Sequence, residues 1–111
     1  MSEISPLRGE VWVCAFPGHI GPHPAVVLTA NRIAQPLSGL TVVIVTGTAG
    51  PSHTHVRVGS EAGLKKYDES YVNCSEVHTM RKHQVRRRLG VLAPVELRRV
   101  EGVLRTVLDL N

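Results

Sequence analysis

Aromatic side chains are scarce: Trp12, Phe16, Tyr67 and Tyr71 are the only ones in 111 residues. A core must therefore rest on Val, Leu and Ile, which favour strands, and a platform of rings for stacking unpaired bases would be thin. Cysteine is nearly missing too. Cys14 and Cys74 lie in apolar, strand-like stretches without CxxC or other ligand spacing, which argues against a disulfide scaffold and for reduced thiols in a cytoplasmic protein. No apolar run approaches the roughly 20 residues of a membrane helix; VVIV at 42–45 is among the longest. The opening MSEISPLRGE has no apolar segment of signal-peptide kind, so neither secretion nor a membrane is expected. Acidic residues are few, 9 against 13 Lys and Arg, giving a formal charge of +4 before any of six histidines takes a proton. That balance suits an anionic partner, or simply solubility.

What is present is the composition of one globular domain over residues 1–111, without repeats or low-complexity tracts. GEVWVCAF at 9–16 alternates as a strand. PGHIGPH at 17–23 holds two prolines and two glycines and is expected to be loop. PAVVLTA from Pro24 is an apolar run suited to a strand buried on both faces, and LTVVIVTGT is a third strand that turns polar at Thr46. Gly47, Gly50 and Pro51 mark a turn, after which HTHVRVG is expected to pair back as a hairpin. GSEAGLKKYDE reads as a surface loop, SYVNCSEVHTM as a strand whose second half emerges into a site, and VRRRLGVL as a short edge strand. From Pro94 the pattern is helical, with Val100, Val103, Leu104, Val107 and Leu108 on one apolar face. Five or six strands closed by a C-terminal α-helix make a mainly β protein, a small, bent, SH3-like barrel.

The order of these pieces resembles the MazF/PemK family of toxin endoribonucleases, relatives of CcdB, from Arg8 to Leu108. RGEVWVCAF is similar to the family's opening strand, GPHPAVVLT to its RPAVVLS signature, VVIVTGT to the strand ending in Thr, and LGVLAPVELRRVEGVLRTVLDL to its closing helix. The resemblance implies a homodimer of SH3-like barrels and cleavage of single-stranded RNA without a metal or other cofactor. It also implies an acidic antitoxin as partner. The family's catalytic Arg and Thr fall on His23 and Thr46, and the Asp usual on the later strand falls on Ser75, so the chain departs from the pattern at two positions.

RNA is cut without metal when a base takes the 2′-hydroxyl proton, an acid protonates the leaving 5′-oxygen and donors stabilise the phosphorane. Histidine as a residue type can give and take protons near neutrality; arginine serves chiefly as a donor. His23 and Thr46 are accordingly the expected catalytic pair. His19, Thr48, Ser75, Glu76 and His78 are candidate RNA contacts, and Arg81, Lys82 and Arg86 candidate phosphate contacts from a run that also holds His83, Arg87 and Arg88 and no acid. His53, His55 and His78 raise a zinc alternative, but spacing fixes no further ligand. Two other functions compete: a gyrase poison of CcdB type, against which the plain helical ending weighs, and a catalytically weakened relative that still binds antitoxin, for which the changes at positions 23 and 75 speak.

Overall fold

The computed structural model describes residues 5–64 and 69–110, so Tyr67 and the middle of the loop expected around it lie outside the described residues. The first strand, β1 (Glu10–Phe16), turns directly back into β2 (Gly21–Val27), with Phe16 opposite Gly21 and Cys14 opposite His23. This corrects the expected loop at 17–23: only 17–20 form the turn, and Gly21, Pro22 and His23 are strand. The breaker residues misled because Gly18 and Gly21, at φ 69° and 62°, supply the left-handed corners of a hairpin. Ala25, Val26 and Val27 are fully buried, as a two-faced strand requires.

A short helix α1 (Asn31–Ala34) leads to β3 (Gly39–Thr46). Then follow β4 (His55–Val58), a 3₁₀ turn (Ser60–Ala62), the long β5 (Ser70–Arg81), β6 (Val85–Val91) and α2 (Pro94–Val107). The six strands form one sheet in the order β4-β5-β3-β2-β1-β6, every pairing antiparallel. The expected hairpin of HTHVRVG with the third strand is not formed: β4 pairs with β5, which lies between it and β3. The connection 47–54 is longer than a tight hairpin turn, and it leaves room for a third strand to enter. His53 stays in that connection.

Each face of the sheet carries a core. Val11, Val26, Val43, Val56, Val72 and Cys74 pack under α2 with its Val100 and Leu104, while Trp12, Cys14, Phe16, Ala25, Val42, Ile44 and Met80 fill the other face. The edge strands β4 and β6 form no ladder among the described residues; the 3₁₀ turn after β4 bridges them instead. Ala62 is fully buried there, and a Cβ on Gly63 would stand 1.9 Å from the Leu89 carbonyl oxygen, so the turn's backbone lies directly on β6. The result is the bent, barrel-like sheet with a C-terminal helix that the strand pattern implied.

Helix α2 starts with Pro94 in its first turn, and Glu96 accepts hydrogen bonds from the N–H groups of Ala93 (2.9 Å) and Gly59 (2.6 Å), fixing the helix to the strand end. Its apolar face is shorter than expected: Val107 and Leu108 are 37% and 52% exposed. Arg8 forms an ion pair with Glu101 at 2.5 Å and also donates to the Leu28 carbonyl, joining the chain before β1 to both α2 and β2.

Candidate RNA-cleavage site

The ladder between β2 and β3 sets Ala25 opposite Ile44, and the same register carried two residues further sets His23 opposite Thr46. Both side chains leave the sheet on the face of Ala25, Ile44 and Phe16. His23 Nε2 lies 2.7 Å from the Val45 carbonyl oxygen. A carbonyl only accepts, so Nε2 is the donor in this bond, and Nδ1 is the ring nitrogen left facing the cleft as an acceptor whenever the ring carries a single proton. Thr46 Oγ1 accepts the Thr48 N–H at 3.1 Å, which leaves its own proton free to donate.

A shallow cleft of about 330 Å³ opens over this pair, lined by Ile20, His23, Ile44, Thr46, Asn73 and Glu76. Phe16, buried at the end of β1, stands between two imidazoles. It meets His23 edge-on at 6.5 Å and His78 edge-on at 5.1 Å between ring centres. His78 Nε2 lies 3.1 Å from Glu76 Oε2, so a carboxylate fixes the second ring much as a carbonyl fixes the first. The irregularity in the β3–β5 ladder between Val43 and Val45 accompanies this: Val43 faces Val77 but Val45 faces Val72, and the extra residues carry Asn73 and Glu76 out over the cleft.

The sequence candidates thus divide by position. His23, Thr46, Glu76 and His78 come together on one face, with Thr48 bound to Thr46. Ser75 is exposed beside them and donates to Asn73 Oδ1 at 2.6 Å, while His19 is exposed at the tip of the β1–β2 turn. Arg81 lies opposite Gly39, seven residues along β3 from Thr46, or about 23 Å at strand spacing. Its guanidinium donates to Ser38, and Lys82 donates to the Gln35 carbonyl at 2.8 Å. Arg86 is exposed on β6. Among the described residues no group of three or more His, Cys, Asp or Glu side chains gathers as a metal site.

Phe16, Asn73 and the Val45 carbonyl escaped the sequence reading. Phe16 could have been found by carrying the β1–β2 pairing to its end, because Cys14 opposite His23 puts the alternate position 16 on the same face. The bulge that presents Asn73 has no sequence signal of its own.

The sequence pattern of PemK-like, MazF-like toxins matches residues 7–108. The chain is 31% identical over 98 residues, 88% of its length and 93% of the relative's, to a probable endoribonuclease MazF2 of Mycobacterium tuberculosis. It is 27% identical over 106 residues, 96% of its length and 95% of the relative's, to the endoribonuclease MazF1 of Mycobacterium bovis. A solved mycobacterial endoribonuclease in complex with its cognate antitoxin superposes with a TM-score of 0.84 at 26% identity, covering 96% of this chain and 97% of that one. With fold and sequence pattern agreeing over almost its whole length, the chain belongs to the PemK-like, MazF-like toxins of type II toxin-antitoxin systems.

Proposed function

We propose that this protein is the RNA-cleaving toxin of such a system, a metal-independent endoribonuclease acting on single-stranded RNA with His23 and Thr46 as its reactive pair. The observation that carries this is the fixed imidazole beside a free hydroxyl, His23 held by the Val45 carbonyl and Thr46 by the Thr48 N–H, in one open cleft of a chain of this family. Nδ1 of His23 takes the proton of a ribose 2′-hydroxyl, whose oxygen attacks the adjacent phosphorus. Thr46 donates to a non-bridging oxygen of the phosphorane, and the 5′-oxygen leaves taking a proton from water in the open cleft, giving a cyclic phosphate and a 5′-hydroxyl end. His78, oriented by Glu76, is the second imidazole on this face and contacts the RNA. Arg in the family's position would supply charge there; His supplies a proton acceptor and shifts the chemistry toward general-base catalysis.

The same reading gives the protein one domain over 1–111, a homodimer whose groove holds the RNA, an acidic antitoxin that folds along the dimer, and a cytoplasmic location. It is supported by the antitoxin complex of the mycobacterial neighbour, by two buried free thiols and, among the described residues, by the lack of any helix long and apolar enough to cross a membrane. The named relatives are endoribonucleases, which favours cleavage over gyrase poisoning or a decoy role. The test is incubation of the purified protein, and of its His23→Ala variant, with a long mixed-sequence RNA in EDTA: the parent cuts, and the variant cuts at least about a hundredfold more slowly.

A further inference from the structure

We propose that Tyr71, His55 and Arg57 form a second RNA subsite beside Thr46, taking an unpaired base against the tyrosine ring and its phosphate on the arginine. The inference rests on the RNA-cleaving reading above and extends it to a surface outside the His23 cleft.

The sheet builds the row. Tyr71 on β5 lies directly opposite Thr46 on β3 and directly opposite Arg57 on β4, so all three side chains share one face. Neighbouring Cβ atoms in such pairs are about 5 Å apart, and strands about 4.8 Å apart place Arg57 about 10 Å from Thr46. His55 is on the same face of β4, opposite Asn73, which itself lines the cleft over His23 and Thr46. The proposed subsite is therefore continuous with the reactive pair.

The side chains are held ready for a ligand. Tyr71 donates to Glu69 Oε2 at 2.5 Å, and that hydrogen bond, with burial, raises its hydroxyl above the usual phenol range, so the ring stays neutral. Glu69 Oε1 meets the Arg57 guanidinium at 3.3 Å, yet the Arg57 side chain remains 68% exposed, and among the described residues Glu69 is the one partner of its five donors. His55 meets Tyr71 at 6.4 Å and 64° between rings, an edge contact that occupies at most one face of the tyrosine, which is itself half-exposed. His55 is fixed in turn by a 2.8 Å bond between its Nδ1 and Thr54 Oγ1 and by Gly50, where a Cβ would stand 2.3 Å from the imidazole. A half-open ring beside an exposed guanidinium is what a base and its phosphate require. The chain has few aromatic residues to spare, and one of them is spent here.

The probe is a mixed-sequence 2′-O-methyl decaribonucleotide, whose blocked 2′-oxygen prevents cleavage, with binding followed by fluorescence anisotropy across a salt series. Tyr71→Ala is expected to weaken binding about tenfold or more, Tyr71→Leu equally, and Tyr71→Phe much less. Arg57→Ala is expected to make the slope of log K against log salt shallower by about 0.7, the share of one phosphate contact on a single strand. On cleavable RNA the loss in the Tyr71 variants falls on KM rather than kcat. Should Tyr71→Ala and Tyr71→Leu, folded by circular dichroism, bind like the parent, the subsite is wrong. With His23→Ala inactive in the same assays, that failure leaves the cleavage reading standing. A parent that neither binds the probe nor cuts RNA overturns both.

Discussion

At the scale of single residues, the state of His23 follows from its partner. Because the Val45 carbonyl holds Nε2, the variant His23→Ala loses both the proton acceptor and its aim. Cleavage should fall by about 10² to 10⁴, the usual contribution of a general base. Thr46→Val removes one donor to the phosphorane and should cost less than His23→Ala, measured as initial rates on one defined RNA. Glu10 allows a prediction about stability. Its burial alone would raise the carboxyl, but the Leu7 N–H, the Arg88 guanidinium and the Trp12 ring N–H outweigh that and hold it below its ordinary range. A carboxyl depressed by folding stabilises the native state above its unfolded value of about 4.3, and that contribution is lost as pH falls through the lower native value. Acid unfolding of Glu10→Gln should therefore lack this part of the pH dependence, as urea midpoints from pH 2 to 7 would reveal. Burial also pushes the thiols of Cys14 and Cys74 up to about 11. Iodoacetamide at pH 7.5, approximately neutral for both thiols, should label them only after unfolding, because the thiolate is the reacting form. The positions of His23 and Thr46 were legible in the sequence through the family pattern, whereas the bond to Val45 and the Phe16 wedge depend on strand register, which no short segment encodes.

At the scale of elements, glycines decide how the barrel closes. Gly63 combines φ 75° with the Leu89 carbonyl where its Cβ would be, and at Gly90 a Cβ would stand 2.3 Å from the Glu61 carbonyl oxygen. Backbone atoms cannot yield as a side chain can, so Gly63→Ala should destabilise by about 3 kcal/mol or more by denaturant unfolding. Gly102, in mid-helix with nothing within 4 Å of a Cβ, is the opposite case. Gly102→Ala should stabilise by roughly 0.5–1 kcal/mol, raising Tm by a few degrees. The strands themselves were readable because apolar alternation reports burial. Their neighbours were less so: alternation in His55–Val58 shows which face is inward but not whether β3 or β5 lies alongside. The 17–23 segment misled for a related reason, since glycines and prolines that end strands also build the corner of a hairpin.

At the scale of the whole molecule, the proposed dimer needs apolar surface to bury, and several large apolar side chains are exposed. Val107, Leu108 and Leu110 at the end of α2 are exposed, as are Leu7 and Val95. Light scattering at micromolar concentration should give twice the chain mass of 12.1 kDa. A basic protein that cuts RNA should also lose affinity steeply with salt, since each phosphate contact releases counterions. The most direct measurement of the central claim is cleavage of a long mixed-sequence RNA in excess EDTA by the parent and by His23→Ala, each shown to be folded. The parent should make discrete cuts ending in cyclic phosphates, and the variant should lose at least about a hundredfold in rate. Cutting that stops in EDTA, or a His23→Ala protein as fast as the parent, would contradict that claim.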